Sequence, residues 1–120
     1  MAPITDPIDI EQELQRRLEA RPEVKLGMMR PHLPRVGCAD GFSVSVQANR
    51  WNYCEPRDDT GPWRAVELGF PSAPMPTLAR WIDAPEEEAT TATETVWGYV
   101  PLREVAKVLA AHGGLMPEAA

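Results

Sequence analysis

The chain has 120 residues, which is one domain with room for a core that needs neither disulfides nor metal. Its net charge of −6 argues against DNA or RNA as the main ligand, because phosphate binding needs clustered positive charge. No apolar run reaches the roughly 20 residues that span a bilayer, and the N-terminus lacks the basic start and apolar stretch of a secretory signal, so the expectation is a cytoplasmic protein with no membrane contact.

The first expected element is a helix from about Pro7 to Ala20. Asp6 suits the N-cap, Pro7 the first helical position, and Arg21 before Pro22 marks the end. Ile10, Leu14 and Leu18 make a thin apolar stripe, which can pack at a domain edge or against a second copy of the chain. Residues 22 to 37 hold Pro22, Pro31 and Pro34 with Gly27 and Gly37, together with Lys25, Arg30 and Arg35. They read as a proline-rich arm whose bases are solvated or touch an acidic partner.

Asp40-Gly41 then gives a turn, and Phe42, Val44, Val46 and Ala48 alternate with Ser43, Ser45, Gln47 and Asn49. That is a strand with its apolar side on a core. Trp51 and Tyr53 fall in phase with the serines unless a bulge between Ala48 and Trp51 resets the pattern. Glu55 to Pro62 is a polar loop of turn formers. A return strand from Trp63 to Phe70 should aim Val66, Leu68 and Phe70 inward and Trp63, Ala65 and Glu67 outward.

Thr77 to Asp83 can form one or two helical turns with Leu78, Trp81 and Ile82 inward. Ala84 to Glu94 has no apolar side chain larger than alanine and reads as a loop. In a third strand, Thr95 to Val100, Val96 and Val100 share one face with Gly98, and Trp97 and Tyr99 share the other. A last helix runs from Pro101 to about His112, where Gly113-Gly114 stops it. The order predicts an α+β fold: a small antiparallel β-sheet of about three strands packed on a C-terminal helix, with an N-terminal helical arm. Residues 1–37 would be the arm and 38–120 the α+β domain.

Two surfaces stand out as partner-binding candidates. The first is an aromatic sheet face of Trp51, Tyr53, Trp63, Trp97 and Tyr99 with Arg50 and Arg64 nearby, since Trp, Tyr and Arg most often anchor protein interfaces. The competing reading is that the N-terminal helix or the proline loops cover this face and make it a second small core. The second surface is acidic: Asp83, Glu86, Glu87, Glu88 and Glu94 lie in a stretch without a base. It is either a solvated loop or a negative patch that meets a basic partner.

Chemistry-bearing patterns are sparse. Cys54 stands near Arg57, which could activate a thiolate, but no histidine lies close in sequence to act as its base. His32, Cys38, Cys54 and His112 have no close-paired zinc spacing, and His112 is better read as a residue of the last helical turn. Two cysteines fit free thiols in a reducing compartment. No glycine-rich phosphate loop occurs, so neither a cofactor nor a metal is expected.

The run Cys38-Ala-Asp-Gly-Phe-Ser-Val-Ser-Val-Gln-Ala, with Tyr53-Cys-Glu-Pro-Arg, Gly61-Pro-Trp, Val66-Glu-Leu-Gly-Phe-Pro-Ser72, Val96-Trp-Gly-Tyr-Val-Pro101 and His112-Gly-Gly, resembles small accessory proteins of bacteriophages and prophages. The resemblance covers residues 38 to 114. It implies a non-enzymatic binding protein that blocks or modulates a host protein, such as a CRISPR nuclease or another nucleic-acid-acting defence complex, in the bacterial cytoplasm. Ten arginines against two lysines fit a GC-rich genome. Two alternatives accompany this expectation: a small oligomeric phage component joined through Ile10, Leu14 and Leu18, and an enzyme that depends on Cys54.

Overall fold

The computed structural model describes residues 2–20 and 33–118. The basic stretch from Pro22 through Arg30 to His32 lies outside the described residues. Helix α1 (Pro7–Glu19) starts where the sequence says it should. The Asp6 carboxylate accepts the Ile8 N–H at 2.8 Å, and Pro7 takes the first position, where its missing donor costs nothing.

Four strands form one antiparallel sheet in the order β1-β2-β3-β4: β1 (Val36–Gly37), β2 (Ser43–Gln47), β3 (Ala65–Gly69) and β4 (Val96–Pro101). Helix α2 (Leu102–Ala111) follows β4 directly. Among the described residues no helix is long and apolar enough to cross a membrane. The fold is the α+β arrangement that the pattern predicts, with one strand more. The added strand, β1, is two residues of what reads as an arm, drawn into the sheet by the turn at Asp40-Gly41. There the Phe42 N–H donates to the Asp40 carboxylate at 2.9 Å, and Gly41 has a φ of 95° that a side chain would resist.

Ile10, Leu14 and Leu18 lie inside the chain's own core, with Val44, Val66, Leu68, Trp97, Val105 and Leu109. Burying each contributes about 1.5–3 kcal/mol. The stripe on α1 is therefore not available as a contact between copies, and the described parts of residues 1–37, α1 and residues 33–37, pack on the sheet domain. Two glutamines reinforce this union. The Gln15 amide donates to the Trp63 carbonyl at 2.8 Å and accepts the Trp63 N–H at 2.9 Å. The Gln47 amide pairs with both backbone groups of Leu33 at 3.0 Å.

The end of α2 meets the chain's start. Gly113 and Gly114 both have positive φ, as the expected helix stop requires. A Cβ on Gly114 would sit 2.5 Å from the Ile4 carbonyl oxygen, because Ile4 and Leu115 exchange backbone hydrogen bonds at 2.8 Å.

Candidate binding surface

The aromatic face is rebuilt by one extra residue in β4. Val66 pairs with Val100 and Leu68 with Trp97, so two steps along β3 match three along β4. This bulge puts Trp97 and Val100 on the same, inward side, where both are buried. Trp97 thus leaves the predicted binding face. Tyr99 takes the left-handed conformation, φ 55°, and points out. That conformation costs about 1–2 kcal/mol in a residue with a Cβ.

Trp63 also leaves the predicted face. It is buried, with its indole N–H donating to the Asp58 carbonyl at 3.3 Å. Phe70, expected in the core, is exposed instead: its φ of 49° flips it at the end of β3, where Arg35 donates to its carbonyl at 2.6 Å.

What remains outside is a compact group. Trp51 is 55% exposed, Tyr53 42% and Tyr99 46%. The ring centroids of Tyr53 and Tyr99 are 5.9 Å apart and tilted by 38°. Arg57 stands over the Tyr53 ring at 5.2 Å and Arg50 over Trp51 at 5.3 Å, both within cation–π range. Arg50 also lies 3.5 Å from Asp59, and Arg64 pairs with Glu55.

The loop that carries Trp51 and Tyr53 is held by side-chain and backbone hydrogen bonds. The chain leaves the sheet after Gln47, and the Asn49 side chain accepts the Trp51 N–H at 2.8 Å, an Asx turn. Glu67, on the outer side of β3, accepts the Asn52 amide at 3.0 Å and the Tyr53 N–H at 3.2 Å. The Tyr53 carbonyl in turn accepts the Tyr99 N–H at 2.9 Å. Beneath it, a Cβ on Gly98 would fall 3.0 Å from the Tyr53 Cβ, so glycine is what allows the loop to lie flat on β4. Arg57, Glu67 and Gly98 were not among the expected site residues. The glycine between Trp97 and Tyr99, inside a strand pattern, was the signal for a bulge and a close approach.

The acidic segment has a different construction. It forms a short 3₁₀ turn (Glu86–Thr90), anchored by buried Ala89, rather than an unstructured loop. Asp83, Glu86, Glu87, Glu88 and Glu94 are all exposed. Among the described residues none of the five carboxylates has an ion pair.

The Cys54 thiol is buried, and its one proton is shared between the carbonyls of Asn49 at 3.1 Å and Pro56 at 3.3 Å. Burial raises its pKa, which keeps the proton on sulfur. Burial and the Asp40 charge push Cys38 up to about 11. His112 caps α2 with its backbone N–H, stacks on Phe42 at 4.0 Å, and places Nδ1 2.7 Å from the Asp40 carboxylate. Asp40 is held below its ordinary pKa by the Phe42 N–H first and His112 second. Among the described residues no three His, Cys, Asp or Glu side chains are placed to hold a metal ion, and His32 lies outside them.

Comparison with protein-family models, with curated protein sequences and with solved structures finds no match.

Proposed function

We propose that this chain is a non-enzymatic binding protein of phage type. It inhibits or modulates a host protein, of the class of CRISPR and other nucleic-acid-acting defence complexes, by contact in the bacterial cytoplasm. The contact surface is Trp51, Tyr53 and Tyr99 with Arg50 and Arg57. One observation carries the reading: three exposed aromatic rings, two of them capped by guanidinium groups, stand on a mount fixed by Glu67, Gly98 and a strained Tyr99. An exposed aromatic held in a costly conformation, as Tyr99 is, is of little use to folding and of much use to a partner. The partner class comes from the phage resemblance. The buried Cys54 thiol, in reach of two backbone carbonyls, favours binding over cysteine chemistry, and the inward stripe on α1 leaves the oligomer alternative without its contact.

The test is capture from host lysate with immobilised protein. A Trp51→Ala/Tyr53→Ala/Tyr99→Asn variant should lose the partner, because anchor residues each carry about 2 kcal/mol or more. Asparagine tolerates the left-handed conformation, so the variant keeps the β4 bulge. Retention of the same partner by a folded triple variant would make the surface structural.

A further inference from the structure

A second site lies on another part of the molecule: an open groove of about 620 Å³ between α1, the Pro62–Arg64 segment, the 3₁₀ turn (Pro76–Trp81) and the start of α2. Its walls include Pro62, Trp81 and Pro101, and its cations are Arg64, Arg80 and Arg103. The three arginines come from three separate elements. Arg64 shares its charge with Glu55. Arg80 stands 5.1 Å over the Trp81 ring, and among the described residues neither Arg80 nor Arg103 has a carboxylate partner. Two acids share the lining. Glu104 is held by Lys107 at 2.8 Å, and Glu11 on α1 is the other. The uncompensated charge is thus Arg80 and Arg103 against Glu11, net positive in a chain whose total is −6.

Helix α2 opens into the same place. Its N-cap is Pro101, no side chain caps it, and the Leu102 N–H is taken by the Arg64 carbonyl at 2.8 Å. The partial positive charge of a helix start adds to that of the arginines. The groove itself carries the argument: two guanidinium groups on different elements, with an aromatic ring and two prolines between the walls. A small anion meets the guanidinium groups but leaves the apolar wall of Pro62, Trp81 and Pro101 uncovered. A chain with spaced carboxylates satisfies both and covers Trp81, and guanidinium matches carboxylate in bidentate fashion.

We propose that this groove binds an acidic peptide segment, with carboxylates on Arg80 and Arg103 and the peptide backbone across Trp81 between Pro62 and Pro101. The site contains no residue of the Trp51–Tyr53–Tyr99 group and stands or falls independently of it.

The probe is a dye-labelled, end-blocked oligo-glutamate peptide followed by anisotropy at low ionic strength. Saturable binding is expected, weakened about tenfold in Arg80→Ala/Arg103→Ala, as the loss of two part-exposed charge contacts implies. Glu11→Gln should bind more tightly, and Trp51→Ala should bind as the wild type does. All four substituted positions are exposed or half-buried, and an unchanged melting curve checks the fold. The proposal is overturned by absent saturation, by a folded double arginine variant that binds equally well, or by equal binding of oligo-lysine. It is also overturned if inorganic phosphate displaces the peptide at matched charge concentration, since the groove would then read any anion.

Discussion

The aromatic loop and the acidic turn carry the two most distinctive compositions in the chain, and they are built on opposite principles. The loop from Asn49 to Arg64 is tied down at nearly every residue. Asn49, Asn52 and Cys54 turn their polar groups inward, Glu67 receives two donors, and Gly98 is hollowed out beneath Tyr53. The turn from Glu86 to Thr90 is fastened through Ala89 and backbone turns, with its carboxylates left in water. A surface that must present rings in one geometry needs such a frame. A surface that presents only charge does not, because exposed charges act over a Debye length of about 8–10 Å rather than through contact.

The contrast can be broken most forcefully at Gly98. Gly98→Val should push Tyr53 off β4, cost about 1–3 kcal/mol in denaturant unfolding, and disrupt the aromatic surface together with the fold. An unchanged unfolding midpoint would show that the loop adjusts freely and is no frame.

A smaller effect separates carboxylates that hold structure from those that do not. Hydrogen bonds from Arg16 first, and from Arg17, hold Glu13 at a pKa of about 2, below its ordinary 4.5. Its folded-state pKa is depressed, so its stabilisation is complete above about pH 4.5 and is lost as pH falls through about 2. Urea titrations across that window should show the loss, and Glu13→Gln should flatten it. The same slope in Glu13→Gln would assign it elsewhere.

The smallest effect belongs to the acidic turn. Glu86→Gln/Glu87→Gln/Glu88→Gln should change stability by less than about 0.5 kcal/mol, as surface changes away from any special feature do. A larger loss in thermal melts would mean that these carboxylates are structural after all.

Where a rule acts over several residues, the sequence was readable. The alternation of Phe42, Val44 and Val46, the Asp6-Pro7 start of α1 and the Gly113-Gly114 end of α2 each appear as written. The inward set Val66 and Leu68 does too. What escaped was decided by single residues. One extra residue in β4 moved Trp97 inward and Tyr99 outward, and one left-handed φ put Phe70 in solvent. Alternation presumes an unbroken phase, and Gly98 is the one local sign in Trp97-Gly98-Tyr99 that the phase can slip there. The site suffered accordingly: of the five aromatic residues expected on one face, Trp51, Tyr53 and Tyr99 are exposed, and Trp63 and Trp97 belong to the core. Packing of the α1 stripe at a domain edge was legible, but its partners were not, because they lie far along the chain in the sheet and in α2.

The glutamine clamps have a consequence for how freely this protein can vary. Gln15 and Gln47 grip Trp63 and Leu33 through peptide groups alone, N–H and C=O, and read no side chain. A side-chain amide copies the hydrogen-bonding pattern of a neighbouring strand, so the gripped segment keeps its attachment whatever residues it carries, proline excepted. Attachment and recognition are therefore written in different letters. The loop can exchange its exposed aromatic residues for others, and so change what it meets, while α1 goes on holding its Trp63 end in the same place.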